Sequence, residues 1–324
     1  MEWQSSWTDP FQEYLKPFAS LIGDRRTWQV LLETVKGIIA SGSLIGHRIA
    51  SSSPELSRSK DGGQRVLRMA KGKSTRRSEI DAEHLTAQLR QVGVAQLQQS
   101  EEEDVWLIAD GSDLCKSYAQ EMPYLMEVLD EDERLVPGYR TLTVIGITPK
   151  RRGILYQKVL SSEEPGFISE PEEVQTMLST VSSALAELKP GKEVTWLLDS
   201  GFDDVAVWRT IWEQQEHVVC RVAHHDRIVQ WQTESGEWTS GPLEKAAERA
   251  KLLAEVRTSM EVKRGKQAHR HRNKPSRWKS RLARFRSPIT AKCVAQARGK
   301  TRSCAKTSGS FRCWCWTPRW SRGG

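Results

Sequence analysis

Past Glu261 the chain has no aspartate or glutamate, although 19 lysines and arginines follow before Gly324. That absence excludes an ordinary globular surface there, because folded domains intersperse both signs and uncompensated cations repel one another. Without this stretch the formal charge of +8 becomes 30 basic against 41 acidic residues, so the whole positive balance belongs to the tail. No run of about 18 apolar residues occurs, which excludes a membrane-spanning helix. The start lacks a charged-then-apolar leader, and a soluble, cytoplasmic protein is expected. Cysteine is scarce, six in all, and none stands in a Cys-x-x-Cys pair. A zinc site built from His269, His271 and the tail cysteines therefore has little support. Cys115 and Cys220 read as reduced thiols in or near a core.

The tail is unusual in what it does hold. It ends "FRCWCWTPRWSRGG", with three of the thirteen tryptophans beside three arginines, and shows neither strand alternation nor helical periodicity. Tryptophan has one codon and cysteine two, so most nucleotides behind "CWCWT" are fixed. Read from the third base of each codon, Cys313 to Thr317 gives Leu-Val-Leu-Asp, an apolar run ending in an acid. The tail, residues 263–324, is thus read as a one-nucleotide frameshift product with the slip near Arg264 to Ala268, and as disordered. The alternative is a nucleic-acid-binding arm whose tryptophans stack on bases between cations.

Residues 1–100 read as a helical, DNA-binding domain. "WQVLLETVKGIIASG" spaces its apolar residues at three and four, and "DAEHLTAQLRQVG" opens on a cap and stops at Gly93. Between them Arg58, Lys60, Arg65, Arg68, Lys71, Lys73, Arg76 and Arg77 form a basic stretch. These cations suit phosphates, which supply affinity without sequence information. A solvated helical surface is the alternative.

After the acidic connector "QQSEEEDV" the pattern changes to strands: "VWLIADGSD", "RTLTVIGITP" and "GILYQKVLS". A helix over "PEEVQTMLSTVSSALAELKPG", a strand "EVTWLLDSGF", a helix "DDVAVWRTIWEQQ" and a strand "HVVCRVAHHD" follow. The order β-β-β-α-β-α-β predicts an α/β fold, a mixed sheet flanked by helices. Two of its strands finish on acids, Asp110 and Asp199. Ligands collect beyond strand ends in helix-covered sheets. Two carboxylates there repel unless a cation lies between them, and Mg²⁺ (or Mn²⁺) with substrate phosphates suits such a pair.

"WLIADGSDLCK" with "VTWLLDSGFDDVAVW" resembles the first two acid motifs of DDE transposases of the bacterial insertion-sequence group-four type, over about residues 100–262. The resemblance implies an incomplete RNase H-like catalytic domain over 101–225 and the start of a β-rich insertion over 226–262. It gives Asp110 and Asp199 as catalytic, metal-binding acids, and matches Asp203 to a further acid. The family's third acid is a Glu within a Tyr-x2-Arg-x3-Glu-x6-Lys pattern, which this sequence lacks; Glu244, Glu248, Glu255 and Glu261 read as solvated helix faces. The implied activity is metal-dependent strand hydrolysis and strand transfer on double-stranded DNA, at transposon ends and target, in a truncated and inactive copy. Rivals are a DNA-binding-only remnant that inhibits intact transposase, through mixed oligomers, and a related metal-dependent nuclease. Self-association and no membrane partner complete the expectation.

Overall fold

The computed structural model describes residues 8–58, 61–70, 80–119, 121–186, 191–233, 235–249, 252–261, 278–286 and 291–293. The chain forms two compact units, one comprising Met1–Gln96 with Gly153–Leu155 and the other the rest.

The first unit is helical: α1 (Thr8–Leu15), a 3-10 turn (Lys16–Leu21), α2 (Arg25–Ser41), α3 (Gly46–Ser52), α4 (Gly62–Ala70) and α5 (Ala82–Gln98). Asp24 starts α2 by accepting hydrogen bonds from Thr27 N at 2.8 Å and Thr27 Oγ1 at 2.7 Å. Gly42 ends it at φ 59°, a left-handed cap that glycine adopts without strain. Ile49, Ala50, Leu56 and Val66 form a core across α3 and α4, with Ile38 of α2 packed on it. Glu33 is buried beside it and takes Ser53 Oγ at 2.6 Å, Glu55 N at 3.2 Å and Lys36 Nζ at 2.7 Å. Burial pushes this carboxyl up, but the three hydrogen bonds together hold it below the usual carboxylate range.

The expected stop of α5 at Gly93 is corrected, since the helix runs on to Gln98. Gly93 lies directly on the backbone of Gly153 and Ile154, where any Cβ would collide with the Ile154 carbonyl. Its role is close approach rather than termination.

The second unit contains β1 (Asp104–Cys115), β2 (Met126–Leu129), β3 (Leu135–Ile147), β4 (Arg152–Leu160), α6 (Glu170–Ala184), β5 (Glu193–Leu198), α7 (Val205–Glu213) and β6 (His217–Cys220). Across the sheet the order is β4-β3-β1-β5-β6, with β2 also on β3. β1 runs antiparallel to β3 and parallel to β5, and β5 is parallel to β6. This is a mixed sheet flanked by helices, in the strand order of an RNase H-like fold. The strand β2 is an addition to the expected order; at four residues it is too short to show a period.

One face of the sheet holds the core. Val105, Leu107 and Ala109 of β1 and Val194, Trp196 and Leu198 of β5 are buried, as are Met177, Leu178 and Val181 of α6 and Val207 and Ile211 of α7. The indole N–H of Trp196 donates to Glu216 Oε2 at 2.7 Å, which also accepts from Ser182 Oγ at 3.0 Å.

Beyond β6 come β7 (Ile228–Gln232), β8 (Trp238–Pro242), α8 (Leu243–Arg249), β9 (Leu252–Glu261), β10 (Trp278–Arg286) and β11 (Ala291–Cys293). β7 pairs with β8 and β11, and β9 with β10, all antiparallel. Glu244 and Glu248 are helical as expected, whereas Glu255 and Glu261 stand on a strand. The tail reading over 263–324 falls mostly outside the described residues, as does the expected slip at 264–268; within it, 278–286 and 291–293 run as strands. Each has a ladder partner on one side, β9 for the first and β7 for the second, which pairs part of their main-chain polar groups. Among the described residues no helix is long and apolar enough to cross a membrane.

Candidate functional site

Asp110 and Asp199 are brought together by register. Pairing of β1 with β5 ends at Ala109 opposite Leu198, so the next residues on the two parallel strands are these two aspartates. Neighbouring strands lie about 4.8 Å apart. Ala109 and Leu198 point into the core and backbone at Asp199 stays extended (φ −82°, ψ −176°), so both carboxylates fall on the opposite, exposed face. One expectation is corrected: β5 ends at its acid, but β1 continues past Asp110 to Cys115. The Asp-Gly pair reads as a turn signal, yet β3 pairs with β1 along that whole stretch and tertiary pairing overrides it.

Each acid has one oxygen engaged within the protein. Asp110 Oδ2 accepts from Ser112 Oγ at 2.6 Å, and Asp199 Oδ1 accepts from Gly201 N at 2.9 Å, capping the 3-10 turn Ser200–Phe202. Asp110 Oδ1 and Asp199 Oδ2 accept no protein hydrogen bond among the described residues. Two hard carboxylate oxygens open to solvent are the donor set that Mg²⁺ or Mn²⁺ takes with water and phosphate oxygens. Among the described residues no three His, Cys, Asp or Glu side chains gather as a metal cluster.

Asp203 does not join the pair. Its side chain is only 2% exposed, with Oδ2 accepting from Ala223 N at 2.7 Å and His224 N at 2.9 Å, and Oδ1 from Arg227 Nη1 at 2.7 Å. Arg227 Nη2 also donates to Asp203 O at 3.0 Å, and its guanidinium carbon lies 4.5 Å from the Trp208 ring centroid. The carboxylate thereby ties the loop after β6 to the segment that follows Asp199. Nearby, Cys220 Sγ donates to Asp199 O at 3.4 Å. Burial, reinforced by the Asp203 and Asp199 charges, pushes this thiol up to about 12.

Sequence reading missed Arg227 and a second ionic group on the extension of β1. Arg140 lies between Asp113 and Glu170: its Nη1 donates to Glu170 Oε2 at 2.7 Å, and its Nε is 3.4 Å from Asp113 Oδ1, near enough for an ion pair without hydrogen-bond alignment. Only the cross-strand pairing of Asp113 with Arg140 could have revealed it, and that needs the register.

Of the basic residues, Arg58 is exposed and pairs with Glu55 at 3.2 Å. Arg65 and Arg68 lie on α4, where Arg68 Nε donates to Gln64 O at 3.2 Å. Lys60, Lys71, Lys73, Arg76 and Arg77 lie outside the described residues, as do His269 and His271.

The face that carries the two aspartates is incompletely covered. Trp106 and Ile108, four and two residues before Asp110 on the same side of β1, are 39% and 38% exposed.

No protein-family model and no curated protein matches the chain. Among solved structures it is similar to a Mos1 transposase paired-end complex with left transposon end, at 16% identity and TM-score 0.23, covering 57% of this chain and 56% of that one. A Mos1 mariner paired-end complex with Mn is similar at 15% identity and TM-score 0.22, with 57% of each chain covered. A pre-cleavage Mos1 transpososome is similar at 14% and 0.22, again over 57% of each. The chain thus spans less than two thirds of their length. The fold assignment rests on strand order and register, not on these likenesses.

Proposed function

We propose that the chain is a DDE-type transposase remnant, with Asp110 and Asp199 as two of the acids of a divalent-metal site. The observation that carries the reading is the β1–β5 register, which sets consecutive-level aspartates side by side on one open face where β5 ends. A bound Mg²⁺ or Mn²⁺ would supply charge neutralisation and water activation for phosphodiester chemistry. The chain's own part is to hold two carboxylates at fixed spacing: Gly201 N fixes one and Ser112 Oγ the other. The basic helical segment, with Arg65 and Arg68 on α4, would hold duplex DNA through its phosphates. The insertion-sequence origin, the truncation and the frameshift belong to this proposal too.

With two acids brought together among the described residues and the family's third-acid pattern absent from the sequence, the expected behaviour is DNA binding without strand cleavage. The test is calorimetric titration of Mn²⁺ into the full chain, beside a cleavage assay on duplex carrying its own element ends. Weak Mn²⁺ binding lost in both Asp110→Asn and Asp199→Asn, with no cleavage, supports the reading. Mn²⁺ affinity unchanged in both variants refutes the metal site. Robust cleavage by the unaltered chain, lost in Asp110→Asn, refutes the inactive state and favours a nuclease that completes its site differently.

A further inference from the structure

Parallel pairing of β5 with β6 ends at Leu198 opposite Cys220, just as pairing of β1 with β5 ends at Ala109 opposite Leu198. The residues at the next level on the three strands are therefore Asp110, Asp199 and Arg221. Val218 and Cys220 are buried with the core, so alternation sends Arg221 to the open face that carries both aspartates, where its side chain is exposed. Its main chain is held from several sides. Arg221 N donates to Leu198 O at 3.0 Å. Two and three residues on, Ala223 N and His224 N donate to Asp203 Oδ2 at 2.7 and 2.9 Å. Cys220 Sγ lies 3.4 Å from Asp199 O and 3.6 Å from Arg221 O, so one thiol spans the main chain of both. Arg227 is spent on Asp203, whereas the guanidinium of Arg221 makes no ion pair among the described residues. No acid occurs from 217 to 225, and His224 and His225 are exposed beside it.

We propose that Arg221 holds a phosphodiester of the DNA strand against the acid pair, its guanidinium donating to the non-bridging oxygens. This rests on the reading of Asp110 and Asp199 as acids of a divalent-metal site and adds the group that receives the substrate. Two carboxylates match the charge of one divalent ion, which leaves the single negative charge of a phosphodiester without a partner. One arginine at the same level supplies it. A cation elsewhere on the surface also attracts DNA, but independently of the acids. The level of Arg221 is what differs: neighbouring strands lie about 4.8 Å apart, so a group held at Asp199 is within reach of the side chain on the next strand. While the aspartates carry no cation they repel phosphate and offset the arginine. Acid pair and arginine therefore hold phosphate together, once the charge of the pair is neutralised.

The test is fluorescence anisotropy of a labelled duplex with the full chain, with and without Mn²⁺, beside calorimetric titration of Mn²⁺ into the chain alone. Phosphate contact carries no sequence information, so a duplex of arbitrary sequence serves. Every variant is checked for unchanged circular dichroism. Arg221→Gln is expected to bind Mn²⁺ as wild type does, and to hold the duplex about tenfold more weakly when Mn²⁺ is present. Arg221→Lys keeps the charge without the fork and recovers part of the loss. In a chain carrying both Asp110→Asn and Asp199→Asn, adding Arg221→Gln changes binding by about twofold or less. Arg209→Gln, which removes an exposed arginine from α7, binds as wild type in both conditions. No loss in Arg221→Gln, a loss equal with and without Mn²⁺, a loss matched by Arg209→Gln, or one that persists without the two aspartates overturns the inference, while Mn²⁺ binding by wild type leaves the metal reading standing. A wild type that binds no Mn²⁺ overturns both.

Discussion

Replacing Asp203 by alanine separates a structural acid from a metal ligand. The substitution removes acceptors from two backbone amides, Ala223 N and His224 N, and leaves the Arg227 guanidinium, with its side chain only 14% exposed, without its counter-ion. Breaking a buried pair by removing one partner costs about 3–5 kcal/mol, most of it the stranded charge. The contact of Arg227 with the Trp208 ring survives and keeps the loss toward the lower end. A sheet unit of this size shifts in Tm by about 2–4 °C per kcal/mol, so a fall of roughly 6–20 °C is expected. Asp203→Asn keeps the shape and one acceptor and should cost less, about 1–3 kcal/mol. The assay is urea unfolding with amide hydrogen exchange, because the Ala223 and His224 amides should lose protection first. A loss below about 1 kcal/mol with both amides still protected, or lowered Mn²⁺ affinity at unchanged stability, would refute the clamp.

Three further outcomes follow from the packing and the electrostatics. Gly93→Ala drives a methyl into the Ile154 carbonyl and should destabilise by about 1–3 kcal/mol, read from the urea midpoint, although alanine is the better helix former. Glu33 has its carboxyl lowered in the folded state, so its stabilisation is full above the unfolded value and is lost as pH falls through the folded one. Acid titration of stability should therefore be flatter in Glu33→Gln than in wild type at and below the usual carboxylate range. Cys220, buried and pushed up to about 12, should resist iodoacetamide at pH 8 in the folded chain while exposed Cys115 reacts; peptide mass spectrometry in and out of urea reads both.

The sheet was legible where its residues were buried on one face or bounded by strong punctuation. "EVTWLL" and "VWLIAD" announce β5 and the first half of β1, and the pairing of their acids follows from where each apolar run stops. What could not be read are features set by partners distant in sequence. β1 outruns Asp110 only because β3 offers thirteen residues to pair with. Gly93 is a stop signal until Gly153 lies against it. Asp203 looks like one more surface acid of "DSGFDD", and only Arg227, 24 positions on, makes it a buried anchor. In the basic stretch charge is legible in the sequence, but the apolar side chain left exposed beside it is not: Leu67, between Arg65 and Arg68 on α4, stays on the surface.

The unequal lengths of β1 and β5 have one more consequence. From Gly111 to Cys115, β1 is hydrogen-bonded to β3 on one side, and among the described residues no strand pairs with its other side. Such a free edge is a template for aggregation, and long flat ones are rare in proteins that stay in solution. Here the edge is short and carries Asp113, held in place by Arg140 and by the Leu129 amide at 3.3 Å. An incoming strand would have to bury that charge. The ionic group therefore guards the free edge beside the two aspartates, and neutralising it with Asp113→Val would leave the acid pair in place while inviting intermolecular β-pairing.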